Sequence, residues 1–142
     1  LSTLLDLYQW LDVLPGQIEP TSDDFYQVAD DQRERIQSRT AQGIGVENDI
    51  FAPYAERTHK APPVNLRKTG DMMDSIAVMS DQNSGRIFFA SSEAEDKARY
   101  NNEGTDKLPQ RFFFGVSEND RNTIVQSVRQ RLVGRLSQMN AR

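Results

Sequence analysis

The sequence predicts an α+β fold, a small antiparallel sheet packed with helices, with long N-terminal helices, an extended loop arm and a long C-terminal helix. Three observations predict it. Apolar residues recur at helical spacing near both ends, two short apolar runs flank a turn-rich connector in the middle, and a proline-containing stretch without either periodicity lies between.

In chain order, Leu4, Leu7, Tyr8, Leu11 and Leu14 repeat at three and four residues, with Asp6, Gln9 and Asp12 between them. They predict a short amphipathic helix ending at Pro15-Gly16. Trp10 lies off that stripe and either meets a partner or packs under the following loop. A second helix is expected from Thr21 or Ser22, where a hydroxyl caps free N–H groups and Asp23 and Asp24 suit the positive end of the dipole. Phe25, Val28, Ala29 and Ile36 form its apolar face, the charged run 30–39 is its solvated side, and Gly43 and Gly45 end it.

From residue 42 to 68 no period persists, and Pro53, Pro62 and Pro63 remove donors that a central strand would need. A loop this long is usually functional or ordered from outside. Ile44, Val46, Ile50, Phe51 and Tyr54 make it too apolar for a plain linker. It reads as an extended arm on a neighbouring subunit, with packing on its own domain as the alternative.

Thr69 to Ile76 reads as a helical turn with Thr69 as N-cap, leading into a strand. The runs 76–80 and 86–91 around Asp81-Gln82-Asn83-Ser84-Gly85 predict a β-hairpin. A short helix over 93–101 ends at Asn102-Glu103-Gly104-Thr105, and the run 109–115 is expected to be a third strand stopped by Gly115. Ser117 then caps the last helix, on which Ile124, Val125, Val128, Leu132, Leu136 and Met139 recur at helical spacing. The chain has neither repeats nor low-complexity tracts.

The 142 residues suit one domain, with a helical region (1–41), the arm (42–68) and an α+β core with the closing helix (69–142). The absence of cysteine excludes disulfides, thiolate metal sites and cysteine nucleophiles, and a single histidine, His59, excludes multi-histidine centres. A net charge of −4 has the wrong sign for a protein that wraps nucleic acid. Charge is nonetheless polarised: the first 32 residues carry seven acids and no base, whereas Arg121, Arg129, Arg131, Arg135 and Arg142 follow the last acid, Asp120. The arginines could cross a phosphate backbone, but a solvated or subunit-facing helix accounts for them equally, and any contact with DNA is expected to be indirect at most. No stretch approaches the ~20 apolar residues of a membrane span, and no secretory signal is expected at the start.

Catalytic arrangements find no support. His59 lies in a proline-flanked basic stretch and reads as a solvated loop histidine, and no glycine-framed nucleophilic serine accompanies it. Gly43-Ile44-Gly45 lacks the third glycine and the lysine-hydroxyl pair of a phosphate loop. Asp71 and Asp74, three apart, suit a helix start. No enzyme activity, cofactor or metal is expected.

Three stretches resemble one family. Leu66-Arg67-Lys68-Thr69-Gly70-Asp71-Met72-Met73-Asp74-Ser75-Ile76 is similar to the "L-x-x-T-G-x-L-x-x-S-I" signature of bacteriophage virion morphogenesis and tail-completion proteins, a group that includes those of Mu-like phages and the related tail-component family of siphophages. Residues 98–105, with Glu103 and Gly104, resemble its "Y-A-x-x-x-E-x-G-T" segment, and Pro109-Gln110-Arg111-Phe112-Phe113-Phe114-Gly115-Val116-Ser117 its "P-x-R-x-F-x-G-x-S" segment. Phe51-Ala52-Pro53-Tyr54 looks like a worn "W-x-P-L". The resemblance covers about residues 42–135; Met73 near the leucine position and Phe51 in place of tryptophan depart from it.

The resemblance implies a virion protein of the tail or neck, made in the host bacterial cytoplasm, that forms a homo-oligomeric ring. Six subunits and contacts to adjacent neck, connector or tail-tube proteins are expected. The candidate subunit-interface residues are Phe51, Tyr54, Arg111, Phe112, Phe114, Arg129, Arg131 and Arg135. The residues assigned structural roles are Thr69, Gly70, Ser75, Ile76, Glu103, Gly104, Pro109 and Gly115. The alternative is a cytoplasmic protein-binding regulatory module with no virion role.

Overall fold

The computed structural model describes residues 3, 5–6, 20–54, 64–67 and 70–140. Its elements are β1 (Leu5–Asp6), α1 (Ser22–Ala41), α2 (Asp71–Asp74), β2 (Ile76–Ser80), β3 (Gly85–Phe89), α3 (Ser92–Glu103) and α4 (Glu118–Asn140). The small antiparallel sheet packed with helices and closed by a long C-terminal helix is an α+β arrangement. The strand order is β1-β3-β2, with Val78 opposite Ile87 and Ile76 opposite Phe89 in the hairpin.

Each long helix starts on a side-chain cap. Thr21 accepts from the Asp24 amide while the Asp24 carboxylate accepts from the Thr21 amide, a reciprocal capping box. Ser117 and Asp120 repeat it at the start of α4, at 3.0 and 3.1 Å. Ser91 caps α3, and Gly104 ends it at φ 77°, a conformation that a side chain would strain. In the hairpin, the Asp81 carboxylate accepts from the Asn83 and Ser84 amides, and these bonds lower its pKa.

One buried cluster joins α1 (Val28, Ala29, Ile36), the hairpin (Ile76, Ile87, Phe89), α3 (Ala94, Ala98), Phe113, Phe114 and α4 (Ile124, Val128, Leu132). The hairpin lies close against α1: a Cβ on Gly85 would stand 2.5 Å from the Phe25 carbonyl oxygen, so only glycine permits this approach.

Three expectations are corrected. The third strand is Leu5–Asp6, paired with Ile87 and Arg86 because the edge of β3 offers these two residues backbone partners; the rest of the expected N-terminal helix, from residue 7, lies outside the described residues. The run 109–115 is irregular, because its amides bond to an asparagine side chain rather than to a strand. The N-cap position of α2 is Gly70, without a side-chain cap bond. Thr69 lies outside the described residues, as do Trp10, His59, Pro62 and Pro63. The arm follows its alternative reading in part: Phe51, Val64 and Leu66 belong to the core cluster and Ile44 bridges to Ile50, whereas Ile50 itself is 87% exposed and residues 55–63 and 68 lie outside the described residues.

Candidate functional site

The segments that carry the resemblance meet at the C-terminal end of α3. Asn102 is fully buried there. Its Oδ1 accepts from the Phe113 and Phe114 amides at 3.2 and 3.1 Å, and its Nδ2 donates to the Phe114 carbonyl at 3.1 Å. Gln110 donates to the Asn102 carbonyl, and the Arg111 amide to that of Asn101. A single amide side chain thus folds residues 110–114 back on the helix and aims both phenylalanines inward. Phe89 packs 4.8 Å from Phe114 and 6.3 Å from Phe113, ring centroid to centroid.

Arg111 extends this junction to the arm. It is 4% exposed, and its Nε and Nη2 donate to the Ala52 and Pro53 carbonyls at 2.9 Å each. Its guanidinium stands 5.1 Å from the centre of the Tyr54 ring. Burial lowers its pKa, with the Tyr54 side chain opposing that shift. The Tyr54 hydroxyl in turn accepts from the Leu66 amide.

The proposed interface residues therefore divide. Phe51 and Phe114 are 4% and 0% exposed and belong to the subunit's own core, so they are not available at its surface. Arg111 binds carbonyls of its own chain. Phe112 is half-buried, its carbonyl accepting from the Val46 amide, and Tyr54 is half-buried beneath Arg111. The residues assigned structural roles are placed as follows: Ile76 is buried at the start of β2, Ser75 closes α2 by donating to the Asp71 carbonyl, Glu103 and Pro109 are exposed, and Gly115 leaves room for the Phe112 ring.

A second cluster joins α1 to α4. Asp24, 1% exposed, accepts from Arg131 Nε at 3.0 Å and from Arg135 Nη2 at 2.5 Å. Burial raises its pKa, but hydrogen bonds from Arg135, the Thr21 amide and Arg131 outweigh this and hold it at about 2. Arg131 and Arg135 are thus engaged within the subunit while their side chains stay partly exposed, 40% and 32%. Farther along the seam, Asp120 accepts from Arg39 at 2.6 Å and Gln32 at 3.0 Å. Burial raises its pKa, and the bonds from Arg39, the Ser117 amide and Gln32 bring the net shift downward.

Sequence reasoning missed Asn102, Asp24, Asp120, Gln32 and Arg39 as organising residues. The two aspartates carried a legible signal, the Thr21-x-x-Asp24 and Ser117-x-x-Asp120 spacings. The polar core residues Asn102 and Gln32 carried none, because their partners are distant in the chain.

Concave surfaces among the described residues include a hollow of about 500 Å³ on α1, lined by Asp31, Glu34, Arg35, Ser38, Arg39 and Gln42, and two beside α4. An open cleft of about 720 Å³ runs between the loop 44–48, Arg35 and Arg39 of α1, and the start of α4. A groove of about 530 Å³ follows α4, lined by Glu118, Arg121, Asn122, Val125, Gln126 and Arg129. Arg121 and Arg129 form no ion pair among the described residues. No described helix is long and apolar enough to cross a membrane. Comparison of the chain with family models, with curated proteins and with solved structures finds no match.

Proposed function

We propose that the chain is a non-enzymatic structural subunit of a bacteriophage neck or tail, a tail-completion or head-tail joining protein that assembles into a homo-oligomeric ring, with six subunits expected. One observation supports the reading: the four stretches that resemble the family, far apart in sequence, converge on one junction. Asn101 and Asn102 of the second stretch hold Arg111, Phe113 and Phe114 of the third, and Arg111 holds the Ala52 and Pro53 carbonyls of the fourth. Tyr54 accepts from Leu66 of the first, and Asn101 Nδ2 lies 4.0 Å from Met72 Sδ of the same stretch. Segments that share one packing task are constrained together, and that makes their joint occurrence in order more telling than any one alone. Its site would be in the virion, where a subunit works through its surfaces.

The test is assembly. Light scattering and negative-stain electron microscopy of the purified protein should show closed rings, and mass spectrometry should find the chain in purified particles. A monomer at every concentration, absent from particles, would favour the regulatory binding module instead.

A further inference from the structure

The exposed surfaces of the two long helices carry opposite charge, which remains after the pairing within the chain is taken into account. On α1, Arg39 is bound to Asp120, Arg33 to Asp30, and Arg35 hydrogen-bonds to Gln32. The first two bonds neutralise Arg39 and Arg33, whereas Arg35 meets a neutral amide and keeps its charge beside Asp31 and Glu34. Asp23 and Glu34 stay exposed without an ion pair among the described residues, and Asp31 has only an amide, Gln27, as its partner. Asp23, Gln27, Asp31 and Glu34 follow one another at three and four residues, so they form one acidic outer face. Tyr26, 45% exposed, borders it.

On α4 the balance is reversed. Arg131 and Arg135 turn to Asp24, whereas Arg121 and Arg129 line the open groove with Val125 between them and outnumber the one carboxylate at its end, Glu118. No acid follows Asp120 in the chain, and the apolar surface continues past the groove in Val133, 61% exposed, and Leu136, 38% exposed. The helices are about 30 and 35 Å long, so each offers a similar length of surface.

Resting on the reading of the chain as a self-assembling subunit, we propose that the basic groove of α4 receives the acidic outer face of α1 from a second copy of the chain. Charge complementarity selects this occupant: the same molecule presents both halves of the contact on different surfaces. Such a contact is heterologous, so every subunit gives one face and receives another, and the chain of contacts closes into a ring where the rotation permits. Val125, Val133 and Tyr26 would supply apolar area, and the ionic part would set register and salt sensitivity.

The experiment uses two charge-reversed forms of the full chain. Arg121→Glu/Arg129→Glu makes both faces acidic, and Asp31→Lys/Glu34→Lys makes both basic. These are surface positions, and a circular dichroism melt confirms that each variant is folded. In low salt the wild type should sediment as a ring, each variant alone should need at least about tenfold more protein to assemble, and an equimolar mixture should recover wild-type assembly. The mixed ring must alternate the two forms, so it must hold an even number of subunits, as a hexamer does.

Rings from each variant alone would overturn this contact and leave the ring reading intact. A mixture that stays dissociated while the wild type forms rings would overturn it as well. If Arg121→Glu/Arg129→Glu forms normal rings but no longer enters particles, the groove receives a different virion protein and the proposal fails. A monomeric wild type would overturn the ring reading itself, and with it this contact.

Discussion

Two buried polar clusters hold the subunit together, and they do so by different chemistry. At the end of α3 a neutral amide, Asn102, satisfies two backbone amides and a carbonyl of the 110–114 segment among phenylalanines. Along the α1–α4 seam the hubs are carboxylates, Asp24 and Asp120, each of which caps its own helix and binds an arginine of the other. The amide hub fixes an irregular loop that has no secondary structure of its own. The carboxylate hubs join elements that are already formed, so they govern docking more than local shape. The first cluster should therefore be insensitive to pH and costly to alter, and the second should titrate.

The largest effect is expected at the aromatic layer above Asn102. Phe113→Ala should lower the free energy of unfolding by about 3–5 kcal/mol, read from urea denaturation, because the ring is fully buried and its neighbours can close the space only in part. Asn102→Ala should cost about 2–4 kcal/mol, since it strands two amides and a carbonyl where water does not reach. That loss should be the same at pH 7 and pH 4. A loss that varied over this range would mean that the amide cluster is coupled to the charged seam.

Asp24 gives the opposite signature. Its pKa falls from an ordinary 3.8 in the unfolded chain to about 2 in the fold, so the unfolded state binds the proton more readily. Stabilisation is complete above pH 4 and disappears as the pH falls through 2. It amounts to something on the order of 2 kcal/mol. Asp24→Asn should remove most of it at pH 7 and flatten the acid limb of the stability curve relative to the wild type. Arg131 and Arg135 remain partly exposed, 40% and 32% at the side chain, so their loss of a partner adds little. The smallest change belongs to the exposed Lys97–Glu93 pair on α3, where Glu93→Gln should leave the urea midpoint within its error.

The same contrast explains what could be read from the sequence. Local signals located α1, α3, α4 and the hairpin: capping residues sit ahead of each long helix, and Asp81 to Gly85 is rich in turn formers. Phe112-Phe113-Phe114 has the composition of a strand, but what decides its conformation is an asparagine 11 and 12 residues earlier in the chain. Leu5–Asp6 lies in a stretch whose leucine spacing reads as helical, but it has a strand neighbour in space. The pairing of Arg131 and Arg135 was not legible because Asp24 lies 107 and 111 residues away. The charge polarity of the chain was legible, but not that part of it is neutralised within the subunit, which leaves Arg121 and Arg129 as the arginines of α4 without an ion pair among the described residues.

Beyond Leu132, α4 makes about two more turns whose described side chains are exposed or half-buried. In mechanical terms the part past Arg135 is a lever of about 8 Å, with Asp24 as its pivot. A sideways load at the tip passes through Arg131 and Arg135 to the first turn of α1. It continues into the hairpin, because Ser22 bonds to Ser80 at 3.0 Å and the Phe25 carbonyl rests against Gly85. A push on one end of the molecule is thus felt at the sheet.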